Sequence, residues 1–332
     1  MKKNRTFKNI LSFLFRFSFS GALLIYLFSK IDVDKTGQIL KSADIGYVLL
    51  AGGIFLIVNF IILWRWIVFI RALDLSVPFI QVVRYFFIGL FGNLFLPTAI
   101  GGDVIKIIGL CRGSTQKPRV VASVLLDRLC GFTGLVLVSS VAFLIGRSYI
   151  DHPSILRLVM LMAAASLLIT VVLFYEKAYR FGCQFFGWFP KIQEALMSVH
   201  YDISLLKGKW GEGIKALLVT CLAHVTFSFV YFFIAKSLHQ DIAWIYFLIF
   251  VPMICVASAF PSIGGLGVRE AGTAYLFAKI GVDSGIAVSI SLMNFLYMVI
   301  VGLMGGVIYV FTLSSRRIQH HQPDEGVGTT AA

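Results

Sequence analysis

Charged side chains are scarce in this chain. Only 14% of its 332 residues are Asp, Glu, Lys or Arg, whereas 58% are hydrophobic; soluble domains carry about 25% charged residues. A water-soluble globule of this composition has too few polar side chains to cover its surface, so the soluble-enzyme classes drop out. Cysteine is sparse and unpatterned. Cys111, Cys130, Cys183, Cys221 and Cys255 are odd in number and form no CxxC, which excludes a disulfide or zinc framework and reads as small apolar core residues. Eight prolines against 30 glycines, without a period, exclude collagen. No P-loop, GxSxG or HExxH is present, so a nucleotide-driven pump is not encoded here, and no metal or cofactor is expected. Asp32 and Asp34 form a D-x-D pair like that of some glycosyl transferases, but Lys35 follows and no soluble sequence surrounds them. What remains is an all-α polytopic membrane protein.

Basic residues exceed acidic ones, 29 to 16, for a net charge of +13. No basic stretch alternates with a soluble fold, so nucleic acid is not an expected partner. In a membrane protein such residues gather on cytoplasmic loops and set orientation, and each is worth about 1 kcal/mol near anionic headgroups. Crossing a ~30 Å hydrocarbon core takes ~20 apolar residues. Six runs qualify as spans: 10–28, 46–70, 120–145, 155–174, 214–235 and 285–313. The first, behind the basic tail 1–9, is longer than a usual signal core and no small-residue cleavage site follows, so it reads as an uncleaved span. Lys2, Lys3, Arg5 and Lys8 place that tail in the cytoplasm; Lys106, Arg112, Lys117 and Arg119, then Lys177, Arg180 and Lys191, then Arg316 and Arg317 mark later cytoplasmic segments. Both termini are therefore expected inside. The aromatic and basic loop 175–212 reads as an amphipathic segment in the headgroup zone, and 314–332 as a disordered tail.

Two further apolar regions, 79–111 and 242–282, are interrupted by proline and paired glycine. The first contains Leu96-Pro97-Thr98-Ala99-Ile100-Gly101-Gly102-Asp103, and the second Phe260-Pro261-Ser262-Ile263-Gly264-Gly265-Leu266-Gly267-Val268-Arg269-Glu270. Proline removes a backbone donor and glycine permits unwound backbone, so each region reads as a broken helix followed by a new helix start. By charge bookkeeping each region begins and ends on one side of the membrane, as a re-entrant hairpin or as two short spans. The order span, span, broken hairpin, span then occurs twice, at about 10–145 and 155–313, with opposite topology. Inverted repeats of this kind place a substrate site where half-helix ends meet near the midplane, and helix N-termini suit anions. The expectation is that Gly101–Gly102 and Gly264–Gly265 face one another across a shared polar pocket.

A charge at the bilayer centre costs about 2.5–3.5 kcal/mol, so ionisable residues in apolar runs are candidates for function. Asp103, Lys106, Asp127, Arg128, Arg269 and Glu270 are those candidates, with Asn93 and Asn294 as uncharged ones. Arg128, Arg269 and Lys106 suit a lipid phosphate; Asp103, Asp127 and Glu270 would balance those charges or carry a coupling proton. Arg65 and Arg84 read as snorkelling to the cytoplasmic face, and His224 as a packed polar residue.

These residues carry a resemblance. Gly92-Asn93-Leu94-Phe95-Leu96-Pro97 with Ile100-Gly101-Gly102-Asp103, then Asp127-Arg128-Leu129-Cys130-Gly131, then the stretch from Pro261 to Glu270 resemble the lysylphosphatidylglycerol synthase transmembrane-region family, the flippase-like part of the multiple peptide resistance factor. The resemblance implies a prokaryotic inner-membrane protein that moves aminoacylated or otherwise modified lipids between leaflets. With the reading of the breaks and buried charges above, a lipid headgroup is expected at Asn93, Pro97, Gly101, Gly102, Asp103, Lys106, Asp127, Arg128, Pro261, Gly264, Gly265, Arg269 and Glu270. No aminoacyltransferase domain follows the spans, so lipid lysinylation is not expected and a transporter-like role is favoured over catalysis. Three readings stay open: a translocase for a phospholipid, aminoacylated lipid or glycolipid headgroup; a non-catalytic membrane subunit docking a separate lipid-modifying enzyme; and a membrane-embedded transferase using Asp103, Asp127 and Glu270.

Overall fold

Apolar sequence becomes helix wherever the chain is described. The computed structural model describes residues 33–95, 101–112, 114–147, 153–175, 208–258 and 265–319, and it is all-helical there. The elements are α1 (Val33–Lys41), α2 (Ile45–Ala72), α3 (Phe79–Phe95), α4 (Gly101–Cys111), α5 (Lys117–Ile145), α6 (Pro153–Phe174), α7 (Trp210–Ser237), α8 (Trp244–Ala257), α9 (Val268–Ala278) and α10 (Ser284–Gln319). Four of the six expected spans appear as α2, α5, α7 and α10, each long and apolar enough to cross a membrane. The fifth is α6. The first span, Pro97, Pro261, Gly264 and most of the loop 175–212 lie outside the described residues. The last helix runs to Gln319, past the boundary at Leu313.

The long helices turn apolar side chains outward. Leu49, Ile57, Phe60 and Trp64 of α2, Leu137, Val141 and Leu144 of α5, and Leu218 and Leu222 of α7 are all exposed. In water such a surface would aggregate; facing lipid it needs no cover. By contrast α8 is apolar all round and buried, with Phe247, Ile249 and Phe250 sealed from the surface, as expected of a helix wrapped by others.

Local contacts fix the direction of each helix. Asp44 caps α2, its Oδ1 accepting from the Gly46 backbone N–H at 2.7 Å, while its own N–H donates to Ser237 O at 2.8 Å. At the other end Lys209 Nζ, just before α7, donates to Ala72 O at 2.8 Å and Asp74 Oδ2 at 2.7 Å. Helices α2 and α7 are therefore clasped antiparallel along their length. Arg119 at the start of α5 donates to Leu73 O, so α5 begins where α2 ends.

The arms α3 and α4 pack against each other, as do α8 and α9. The first pair returns to the face it started from, because α5 begins beside the end of α2. With 11 residues each, α4 and α9 rise only ~16 Å, about half the hydrocarbon core. They are half-helices that begin inside the bundle.

Partner exchange relates the two halves. Helix α3 packs on α10, and α8 packs on α5; α4 meets α5, and α9 meets α10; α2 meets α5, and α7 meets α10. Each pairing has a counterpart when α2, α3, α4 and α5 are swapped for α7, α8, α9 and α10. Together with the antiparallel α2–α7 clasp, this is the packing that an inverted repeat generates.

Close approach of α3 and α10 depends on small residues, as is usual between membrane helices. A methyl group at Gly305 would overlap the Phe87 carbonyl, whereas one at Gly53 meets nothing within 4 Å. Gly305→Ala is expected to lower stability by about 1–3 kcal/mol through overpacking, while Gly53→Ala is neutral or slightly stabilising. Thermal unfolding of the two variants in one detergent checks the contrast; equal melting temperatures would show that α3 and α10 are not in tight contact.

The Lys209 clasp has its own signature. The hydrogen bond and charge of Lys209 hold the Asp74 carboxyl below its ordinary range. A carboxylate whose pKa falls on folding contributes stability above its unfolded value and loses it as pH drops through the folded one. Acidification from neutrality to below about 4 should weaken the clasp, and Asp74→Asn should remove that part of the acid response. Unfolding curves of both proteins across that pH range measure it.

Candidate functional site

Glycine sets up both half-helix starts. Gly102 donates its N–H to Asn93 Oδ1 at 2.8 Å, bridging α4 back to α3. A side chain on Gly102 would collide with the Gly89 carbonyl. In the second half Gly265 and Gly267 adopt φ of +80° and +87°, a left-handed backbone that side chains disfavour. Gly267 N–H then donates to Glu270 Oε2 at 2.6 Å. Glu270 thus folds back over the first turn of α9, and Asp103 lies in the first turn of α4. Carboxylates there are favoured by the helix dipole. The anion seat at the start of α9 is filled by Glu270, whereas at the start of α4 the Gly102 N–H is taken by the Asn93 amide oxygen.

The two starts open onto one cavity of about 380 Å³. Asn93, Asp103, Lys106, Asp127 and Arg128 line it from the first half, and Gly265 and Arg269 from the second. Gly101 and Gly102 are buried beside it in the first turn of α4, and Glu270 sits behind Arg269, fully buried. Pro97, Pro261 and Gly264 lie outside the described residues.

The charges are arranged in two clusters. In the first half Arg65 Nε donates to Asp127 Oδ1 at 2.6 Å, and Arg65 Nη1 reaches Thr220 Oγ1 at 3.5 Å. Asp103 accepts from Arg128 Nε through Oδ2 and holds Lys106 Nζ at 3.4 Å through Oδ1. The Lys106 ammonium lies 5.0 Å from the Trp66 ring centroid and 4.9 Å from that of Phe86, so ring faces complete its cage. In the second half Glu270 Oε1 accepts from Arg269 Nη2 at 2.7 Å and from Ser291 Oγ at 3.0 Å. Arg269 Nη1 is directed to Met298 Sδ at 3.1 Å, a weak acceptor.

Exposure separates these groups. Asp103, Lys106, Asp127, Arg269 and Glu270 are all buried, but the Arg128 side chain is 39% exposed. Of the cations in the cluster it is the one that reaches furthest into open space while keeping a carboxylate partner.

Arg65 corrects the snorkelling reading. It is 7% exposed and turns inward to Asp127, a partner 62 residues away. Arg84 does not line the cavity. His224 does, with Nε2 3.1 Å from Gly131 O. Asn59, Tyr231 and Ser258 also line it and were not singled out from sequence. Asn59 had a signal, as the one amide in the apolar run between Val48 and Trp64; Tyr231 and Ser258 had none. Among the described residues no three His, Cys, Asp or Glu side chains group as metal ligands.

Comparison with known proteins gives two findings. The family model described as the lysylphosphatidylglycerol synthase TM region matches residues 13–306. A UPF0104 membrane protein of Pyrococcus horikoshii is 26% identical over 320 residues, covering 86% of this chain and 93% of the relative.

Breaking one side of the Arg65–Asp127 pair strands a buried charge, which costs about 3–5 kcal/mol. Arg65→Met and Asp127→Leu should each be strongly destabilised. The double variant should be more stable than either single one, because no charge is left without a partner. A double-mutant cycle by thermal unfolding reads this directly, and simple additivity would mean that the pair does not interact.

Proposed function

We propose that this chain, which belongs to the lysylphosphatidylglycerol synthase transmembrane-region family, moves an anionic lipid headgroup between leaflets through the cavity where its two half-helices meet. The observation that carries this reading is a cluster of paired charges, drawn from both halves, around a cavity inside an apolar bundle. Such residues are costly to hold at membrane depth and mark pathways for polar cargo. The family is named for a membrane lipid synthase, which supports a lipid as the cargo. In this reading the protein sits in a prokaryotic inner membrane with both termini in the cytoplasm.

Each step uses groups already in place. A phosphodiester approaches Arg128, whose guanidinium can bind two oxygens at once. Arg128 then exchanges Asp103 for the phosphate. Asp103 is not stranded, because Lys106 still holds its other oxygen. Arg269 offers the N–H now spent on Met298 sulfur, which draws the phosphate towards the second half. The acyl chains remain outside among the exposed apolar side chains. Release on the opposite leaflet returns Arg128 to Asp103. With no nucleotide motif in this chain, the lipid gradient, a coupled ion or a partner supplies direction.

Reconstitution in liposomes with labelled phospholipids tests this. Arg128→Ala and Arg269→Ala should each lower leaflet exchange by at least about tenfold, the scale of one lost charge-assisted contact, with unfolding temperature reported alongside. Exchange in both variants equal to that of the unaltered protein would remove the cavity from the pathway.

A further inference from the structure

Asn294 is the anomaly in an otherwise satisfied cavity. It is 1% exposed, it lines the cavity, and its Oδ1 is, among the described residues, the one buried side-chain polar atom without a hydrogen-bond partner. A buried acceptor left unmade is costly and is retained where something else supplies the donor. Its neighbours are informative. Ser291, one turn earlier on α10, and Met298, one turn later, both contact Arg269. Residues three and four apart share a helix face, so Asn294 is on the face of α10 that meets Arg269, and both line the cavity. A ligand whose phosphate meets Arg269 therefore presents the atoms next to that phosphate to Asn294.

Charge balance narrows what those atoms are. Arg65, Lys106, Arg128 and Arg269 face Asp103, Asp127 and Glu270, which leaves one positive charge in excess among the described residues. Every one of these carboxylates is already engaged by a cation. A headgroup with one phosphate charge and a neutral donor closes the balance. A zwitterionic headgroup leaves the excess in place, and an aminoacylated headgroup with a net positive charge enlarges it, with no carboxylate free to receive its ammonium.

We infer that the cavity selects a phosphodiester lipid with a single negative charge and a hydroxyl-bearing headgroup, such as a glycerol or a sugar alcohol, with Asn294 Oδ1 accepting a hydrogen bond from the hydroxyl. This rests on the lipid-headgroup reading above and names its substrate class. It also separates this chain's cargo from the lysylated lipid after which the family is named.

The test measures binding and transport separately. Short-chain phosphatidylglycerol, phosphatidylmethanol, phosphatidylethanolamine and lysyl-phosphatidylglycerol are titrated into detergent-solubilised protein, and binding is read from the thermal shift. Phosphatidylmethanol keeps the phosphate charge but lacks the hydroxyl. The unaltered protein should bind phosphatidylglycerol about tenfold or more tightly than phosphatidylmethanol, as expected where a buried polar group depends on the ligand's hydroxyl. The zwitterionic and cationic lipids should bind more weakly still. Asn294→Leu should bring phosphatidylglycerol down to the level of phosphatidylmethanol and leave phosphatidylmethanol unchanged. Equal binding of the two anionic lipids to the unaltered protein, preference for the cationic lipid, or no binding of any lipid overturns the inference, whatever the variant does to folding. Selective binding without leaflet exchange in liposomes would instead leave the inference standing and defeat the transport reading.

Discussion

Desolvation of charge governs this structure. An ion moved into a low-dielectric interior loses hydration worth several kcal/mol, and a partner restores it only with good geometry. The bundle brings six ionisable side chains to its interior cavity and a seventh, Glu270, behind Arg269, and much else follows from the need to compensate them. Asp103 and Glu270 sit on helix starts, where exposed N–H groups and the dipole favour a carboxylate. Trp66 and Phe86 wall in Lys106 because a single carboxylate contact at 3.4 Å is not enough for an ammonium. Thr220 and Ser291 place hydroxyls where a guanidinium has N–H groups left over. Glycine at 102, 265 and 267 lets the half-helices begin at that depth.

The same constraint explains which parts were legible in the sequence. Membrane helices announce themselves by apolar length, so α2, α5, α7 and α10 could be read as spans before any contact was known. The two breaks were legible because the proline and glycine pattern occurs twice, and the structure puts Gly265 on the cavity wall and buries Gly102 in the first turn of α4, neither on the lipid face. Arg65 was not legible. An arginine near the end of an apolar run satisfies the snorkelling pattern and the buried pattern equally, and only its partner, 62 residues downstream, decides. Tyr231 and Ser258 fail for a different reason: hydroxyl residues are common in apolar helices, and only the direction each faces gives it a role. The small-residue contact of Gly305 with α3 was equally silent, since glycine spacing alone does not say which neighbour comes close.

Register within the halves accounts for the chemistry of the cavity. Lys106 stands five residues beyond Gly101, and Arg269 five beyond Gly264, so the two breaks are each followed by a cation at the same sequence spacing, although Lys106 is in the second turn of α4 and Arg269 in the first turn of α9. The long helices that follow are matched as well. Asp127 is ten residues into α5, and Asn294 ten residues into α10. In the first half the aspartate is held by Arg65 of α2. The corresponding part of α7 carries no arginine, and Tyr231 occupies that side of the cavity instead. The position of α10 that matches Asp127 thus carries an amide, and the second half has no ion pair of the Arg65–Asp127 kind.

Departure from symmetry therefore has a direction. A cavity whose halves were identical would attract a phosphate equally from both and hold it at the midpoint. Here the first half pairs both of its carboxylates internally and offers Arg128 on exchange, whereas the second pairs one carboxylate and leaves an amide oxygen without a donor. On the function proposed here, a headgroup in the cavity would meet charge on one side and a hydrogen-bond acceptor on the other, with its phosphate between the cations and its polar substituent towards α10. Two similar halves supply the inverted scaffold, and the proposed selectivity rests on the place where they differ, an ion pair at Asp127 in the first half and an amide at Asn294 in the second.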